Sequence, residues 1–421
     1  MRRLLELVRF ARLHSKFYSE LYKGVAEDCD DISRYPVISQ EAFWQASENG
    51  GGGLLTASHQ NGIVFKSGGT AGNPKYSYFT AKEWNDFTSV SGKGFRLNGV
   101  KAGDRIANLF YAGELYASFL YVTDLIQQAD VGVCFPISGQ TAVAESVALM
   151  KKLDINVMAG VPTTIMHVIS YLQKHGDARP EIDLILFGGE PMYPDQLEAI
   201  ARCFPRARVH SILYASVDGG ELGYFDAATC KNGEHRTFDE STILEIVEEE
   251  SGAVISRENV PGKLLVTNLN RRLMPLIRYP VGDLAAWSEP EGRADRKFRL
   301  LGRSEEGARI GPATLYVQDL LTVFNHFAQE LHILNFQLLI THEQQKDRVV
   351  IKVVPHQPEQ ASSELATAIV DHLYDQRSML KELLAKGTIH PLGLQWCSPD
   401  ELESNARTGK TKRVLDRRLG S

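Results

Sequence analysis

Long apolar runs are missing: none approaches the roughly 18 to 20 residues needed to cross a bilayer, so no transmembrane helix is expected. Positive charge is not in excess either. Against 46 Lys and Arg stand 52 Asp and Glu, a formal net charge of −6, which gives no electrostatic case for binding nucleic acid. Cysteine is sparse, with Cys29, Cys134, Cys203, Cys230 and Cys397 scattered and odd in number. That argues against a disulfide framework and for a reducing, cytoplasmic setting. Cys230 and His235 alone approach metal-ligand spacing, and two ligands do not make a zinc site. The opening Met1-Arg2-Arg3-Leu4-Leu5-Glu6-Leu7-Val8 is basic and amphipathic but has no secretory apolar stretch, so it reads as a surface helix.

What is present is an ordinary globular composition, 43% hydrophobic and 23% charged over 421 residues. That length exceeds one ordinary core, so two or three domains are expected. One stretch concentrates chemistry: Lys66-Ser67-Gly68-Gly69-Thr70-Ala71-Gly72-Asn73-Pro74-Lys75. The glycines let backbone N–H groups approach an anion, the hydroxyls donate to its oxygens, and the lysine neutralises charge. Strand-like flanks, Gly62-Ile63-Val64-Phe65 and Tyr76-Ser77-Tyr78-Phe79-Thr80, lead in and out. Pro74 before the lysine, and a strand rather than a helix after it, disfavour a kinase-type P-loop.

The chain alternates strand and helix from residue 105 to about 218, which predicts parallel sheets covered by helices. Helices are expected over 1–24, 81–97, 142–153 and 163–175, and strands over 131–136, 157–160 and 182–187. Ser39 reads as the N-cap of a further helix, and Gly50 to Gly53 as a flexible loop. Two strands end in glycines beside a carboxylate: Leu186-Phe187-Gly188-Gly189-Glu190 and Tyr214-Ala215-Ser216-Val217-Asp218. Tyr111, Gly113, Tyr116 and Phe119 sit at a strand-to-helix transition, where α/β sheets gather ligands. Residues 241–285 alternate with period two and predict antiparallel strands. They end in Arg278-Tyr279-Pro280-Val281-Gly282-Asp283. Beyond Gly302-Arg303 a polar stretch, Ser304-Glu305-Glu306-Gly307, precedes a smaller unit. There a helix over 317–330, strands over 333–341 and 348–354, a long helix over 359–386 and a strand near 390–396 are expected. The tail Asn405-Ala406-Arg407-Thr408-Gly409-Lys410 is basic and glycine-hinged.

In order and spacing these segments resemble the adenylate-forming superfamily of acyl-CoA synthetases, peptide-synthetase adenylation domains and luciferases. The resemblance covers nearly the whole chain. Residues 261–303, with the N-terminal His14-Ser15-Lys16-Phe17-Tyr18 and Tyr35-Pro36-Val37-Ile38, are most similar to its phenylacetate–CoA ligase branch. That branch includes activators of aryl acids, phenazine carboxylates among them, in antibiotic and other secondary metabolism.

The resemblance implies an α/β fold with a large N-terminal domain, residues 1–305, of sheets flanked by helices plus a distorted β-barrel. A small, mobile α+β C-terminal domain, residues 306–421, would carry the catalytic lysine. It implies Mg²⁺- and ATP-dependent conversion of a carboxylic acid to an acyl-adenylate, with CoA as the expected acceptor. A separate carrier protein or an amine is the alternative acceptor. No nucleic-acid or membrane partner is implied, and a homodimer is compatible with it. Thr70 with the amides of Ser67, Gly68, Gly69 and Gly72, and Lys75, would hold the phosphates. Asp218 would bind Mg²⁺, Asp283 and Arg303 would meet the ribose, and Tyr214 would pack on adenine. Gly188, Gly189 and Glu190 would line the base, and Ser216 an α-phosphate oxygen. Lys410 would bridge the carboxylate and the α-phosphate, with Thr70 and Asp218 as its catalytic companions. Tyr111, Tyr116, Phe119 and Phe135 would wall the acid pocket.

The sequence also departs from the family. Val217 stands where a hydroxyl residue is usual, and Asp218 where glutamate is usual. Pro280 and Val281 replace an Arg-Thr pair, and the motif before Lys410 is one residue short. These departures leave open a catalytically degenerate nucleotide-binding or scaffold protein as the alternative.

Overall fold

The computed structural model describes residues 2–67, 75–175, 179–189, 192, 194–248, 251–303, 307–310, 313–329, 331–343, 346–357, 359, 361–387, 389–404 and 409–417. The contacts divide the chain into two units. One comprises Met1–Pro191 and Cys203–Leu301, the other Met192–Arg202 and Gly302–Ser421. That Met192–Arg202 groups with the second unit is not visible in the sequence.

In the first unit the apolar runs form a five-stranded parallel sheet. Its order is Val133–Phe135, Arg105–Asn108, Val157–Gly160, Leu184–Phe187, Arg208–Ser211. Every residue of Val157–Gly160 and Leu184–Phe187 is buried, as strands enclosed on both faces require. Helices Ser118–Ala129, Val143–Lys152 and Pro162–His175 supply the crossovers. The part expected as a distorted barrel is a five-stranded antiparallel sheet. It runs Glu234–Arg236, Lys297–Arg303, Leu276–Trp287, Gly262–Asn268, Thr242–Val247. Leu264, Val266, Leu276 and Tyr279 from this sheet share a core with Leu4, Leu7, Tyr18, Tyr22, Tyr35 and Phe43 of the N-terminal segment.

The helix expected over 1–24 is two helices, Arg2–His14 and Lys16–Leu21. Ser15 is extended at their junction, and Phe17 N–H goes to Gly53 O at 2.9 Å, so a tertiary bond redirects the chain. Helix Gln40–Gly51 runs into the glycines expected as a loop, starting behind Ser39, whose side chain accepts from Ala42 N–H. Helix Ala81–Arg96 opens with a reciprocal capping box between Thr80 and Glu83.

The second unit is built on a four-stranded mixed sheet, ordered Gly393–Trp396, Lys346–Pro355, Ile333–Glu343, Val414–Asp416. Helices Val317–His326, Ser363–Gln376 and Ser378–Ala385 share its core. The single helix expected over 359–386 is therefore two, broken at Arg377 with φ −122° and ψ 73°. The guanidinium there lies 5.4 Å from the Tyr316 ring centroid and 3.5 Å from Asp319, contacts a sequence does not display. The first of the two starts only after Ser362, which caps it by accepting from Leu365 N–H at 3.1 Å. Among the described residues no helix is long and apolar enough to cross a membrane.

Candidate active site

Strands Ile63–Ser67 and Lys75–Phe79 form an antiparallel ribbon in which Ser67 faces Lys75. The ribbon fixes both ends of the glycine-rich loop. Gly68, Gly69, Thr70 and Gly72 lie outside the described residues, as does Glu190; of Ser67 and Arg303 only the backbone is described.

Lys75 is held from helix Gln40–Gly51. Its Nζ donates to Gln40 Oε1 at 3.0 Å and lies 5.5 Å from the centroid of the Trp44 ring. Gln40 in turn donates from Nε2 to Pro280 O at 2.6 Å. Trp44, one turn later, donates from Nε1 to the Tyr279 hydroxyl at 3.1 Å, and that hydroxyl donates to Asp218 Oδ2 at 2.8 Å.

A second tyrosine–aspartate bond runs the opposite way: the Tyr214 hydroxyl donates to Asp283 Oδ2. Residues 214 and 218 flank one turn, and 279 and 283 lie on the strand Leu276–Trp287. Each segment gives the other a hydroxyl and receives one for its carboxylate. Gly282 makes the local geometry at φ +86°, a left-handed conformation that favours glycine. Arg271 ties the turn to the ribbon, donating to Asp218 O at 2.9 Å and Tyr78 O at 3.0 Å. Its guanidinium also lies 4.0 Å from the centroid of the Phe79 ring. Burial lowers the Arg271 pKa, opposed by the charges of Glu83, Glu221 and Asp218.

Ser216 Oγ accepts from Gly219 N–H at 2.8 Å. Val217 packs against the cluster of Phe65, Phe79, Phe87 and Ala117, so the departure at this position fills apolar space. Tyr214 packs against Phe298 and His235, with ring centroids 6.0 and 5.7 Å away. A Cβ on Gly188 would lie 2.7 Å from Ile212 Cγ2, and Gly189 has φ +81°; both positions demand glycine.

Tyr111 is buried in the core that Tyr116 and Phe119 pack against, and Thr164 Oγ1 donates to its hydroxyl at 3.3 Å. The intervening turn has positive φ at Gly113, Glu114 and Leu115. Leu115 O accepts from Lys66 N–H at 2.9 Å, which joins this wall to the strand entering the glycine loop. Phe135 is not brought to this group. Cys134 faces that core, so its neighbour alternates to the other face, where the ring lies 4.5 Å from the Arg105 guanidinium.

The sequence singles out His235 only for its spacing from Cys230, and Glu221 not at all; both are buried titratable residues. Glu221 is pushed up to about 7, chiefly by burial, while Asn268 donates to its Oε2 at 3.0 Å. Burial pushes His235 down to about 3, and it pairs with Ser211 Oγ at 2.8 Å rather than with Cys230. Among the described residues no group of three or more His, Cys, Asp or Glu is placed to hold a metal ion. Asp218 is the carboxylate the sequence assigns to a cation, which binds through oxygens. That half-buried carboxylate supplies the hard donor such a cation prefers.

In the second unit Lys410 is half-buried and follows Gly409, at φ +69°. Strand Ile333–Glu343 anchors its neighbours. Asn335 donates to Thr411 Oγ1 at 2.9 Å, Gln337 to Lys412 O at 2.7 Å, and Arg413 to Phe336 O at 2.8 Å.

No family model matches the chain. It is 27% identical over 262 residues to the indoleacetate–lysine synthetase of Pseudomonas savastanoi, a match spanning 62% of this chain and 61% of that protein. It is 22% identical over 377 residues to a phenylacetate–coenzyme A ligase of Aromatoleum evansii, spanning 84% and 78%. Among solved structures, 2-hydroxyisobutyryl-CoA ligase in the postadenylation state superposes with TM-score 0.74 at 18% identity, covering 98% of this chain and 88% of that one. An acyl acid amido synthetase in complex with 2,4-DB also gives TM-score 0.74, at 14% identity and coverages of 98% and 91%. In sequence the chain is similar to the phenylacetate–CoA ligases and to an indoleacetate–lysine synthetase, and in fold it is similar to adenylate-forming ligases.

Proposed function

We propose that the chain activates an organic carboxylic acid, aromatic by the wall of Tyr111, Tyr116 and Phe119, at the expense of ATP. A carboxylate oxygen attacks the α-phosphorus, the bond to the β-phosphate oxygen breaks, and pyrophosphate leaves with the electron pair. A thiol or amine then attacks the acyl carbon of the adenylate, loses its proton and expels AMP. The observation that carries this reading is the crossed pair of Tyr214–Asp283 and Tyr279–Asp218, joined to Lys75 through Trp44. Two carboxylates and an ammonium so linked suit the metal ion, the ribose hydroxyls and the phosphates of a nucleoside triphosphate.

Bound Mg²⁺ would offset phosphate charge, with Asp218 as its protein ligand. Asp283 accepts from the ribose hydroxyls, Arg303 stands beside them, and Tyr214 presents its ring to the base. Thr70, Ser67 and the loop amides donate to phosphate oxygens. Ser216, its Oγ already accepting from Gly219, keeps a hydroxyl proton to donate. Lys410 offsets the charge that moves between carboxylate and α-phosphate.

CoA is the favoured acceptor, supported by the names of the phenylacetate–coenzyme A ligases and by a structural neighbour solved with CoA. Transfer to an amine is the second reading, favoured by the likeness to an indoleacetate–lysine synthetase and an acyl acid amido synthetase. Mass spectrometry of products formed from ATP, an aryl acid panel and CoA, a holo-carrier protein or lysine decides between them. Acyl-CoA is the expected product. An amide without thioester favours the second reading, and ATP binding with no product in any arm favours a scaffold.

A further inference from the structure

Tryptophan's indole N–H can only donate and an ionised carboxylate can only accept. A tyrosine hydroxyl between them therefore has one arrangement: it accepts from Trp44 Nε1 and commits its proton to Asp218 Oδ2. The same ring lies beside Lys75, within the ~6 Å at which an ammonium is attracted to an indole face. Gln40, on the same helical face one turn earlier, repeats the pattern, accepting from Lys75 and donating to the carbonyl of Pro280. Two side chains on the first turns of helix Gln40–Gly51 thus each touch the loop lysine and the strand Leu276–Trp287, whose Tyr279 donates to Asp218.

From this geometry we infer that Trp44 is a positioning residue, which sets the loop lysine and the metal-binding carboxylate in register through Tyr279. This rests on the assignment of Asp218 to the metal under the proposed function. Losing the indole donor removes a hydrogen bond that fixes the direction of the hydroxyl, and with it that of the carboxylate it donates to. Packing alone would not require the N–H, because a phenyl ring also fills space and faces a cation.

The test is binding of Mn²⁺·ATP to the full chain, followed by electron paramagnetic resonance, for Trp44→Phe, Tyr279→Phe, their double variant and Asp218→Asn. Trp44→Phe and Tyr279→Phe are each expected to weaken binding roughly 5- to 10-fold, the size of one ordinary hydrogen bond. The double variant should bind no more weakly than Tyr279→Phe alone, since both changes break one chain of bonds. Multiplying effects in the double variant, or wild-type affinity in Trp44→Phe when Asp218→Asn binds poorly, would overturn the inference. Wild-type affinity in Asp218→Asn would instead overturn the metal assignment, and the inference with it. Trp44→Phe decides alone if Tyr279→Phe does not fold.

Discussion

Glu221 and His235 are buried titratable groups that pull the pH dependence of stability in opposite directions. The Glu221 carboxyl keeps its proton to about pH 7 in the folded chain but sheds it near 4.5 when unfolded. Between those values the folded state binds more protons, so stability falls as pH rises, by up to about 3 kcal/mol. His235 is depressed to about 3 from 6.5. It contributes stability above the unfolded value that is lost as pH falls toward 3. The two windows overlap, so the informative quantity is the difference between wild type and Glu221→Gln. In urea titrations that variant should gain about 2–3 kcal/mol on wild type between pH 4 and 8; a pH-independent difference would contradict the burial account. Substrate recognition is tested one residue at a time as well. Tyr116→Ala should raise the dissociation constant for an aryl acid about tenfold while leaving that for ATP within about twofold. Equal effects on both would make the ring core packing alone. Tyr214, Asp218 and Asp283 were legible because each stands in a motif with its own spacing. Their crossed pairing was not, since residues 218 and 279 meet only through the folded strand. Trp44 lies farther still along the chain, inside a helix that carries no motif.

Elements followed the sequence where local signals and tertiary contacts agree. The apolar run of Leu184–Phe187 and the alternation along Thr242–Val247 became strands as the patterns require. Helix boundaries failed where a tertiary contact overrode periodicity, at Ser15 and Arg377. Helix Ala81–Arg96 shows the reverse case, a local signal with a long-range task. Glu83 caps the helix with Thr80, and its other oxygen accepts from the backbone N–H groups of Arg272 and Leu273 at 2.6 and 2.8 Å. Glu83→Ala removes the cap and leaves two backbone donors without their acceptor, a cost of about 3 kcal/mol or more. Denaturant unfolding should show that loss; a change below about 1 kcal/mol would mean water replaces the carboxylate.

For the whole molecule, Lys410 lies in one unit and Asp218 and Asp283, the proposed nucleotide-binding residues, in the other. The proposed chemistry needs the lysine at the α-phosphate for the first half-reaction only, which makes the two half-reactions separable. Lys410→Ala should abolish adenylate formation while preserving ATP binding and thioester formation from a supplied acyl-adenylate. Equal loss of both steps would assign the lysine a structural role. Ser304 to Glu306 of the polar stretch after Arg303, and Gly68 to Pro74 of the glycine loop, lie outside the described residues. The central claim is carboxylate activation, and acid-dependent exchange of labelled pyrophosphate into ATP measures it without reference to the acceptor. Across a panel of aryl and alkyl acids with Mg²⁺, exchange should appear with at least one acid and vanish without acid. It should fall at least about a hundredfold in Asp218→Asn and Lys410→Ala. Absence of exchange and of AMP release with every acid in the panel, by a folded chain that binds ATP, would contradict the account.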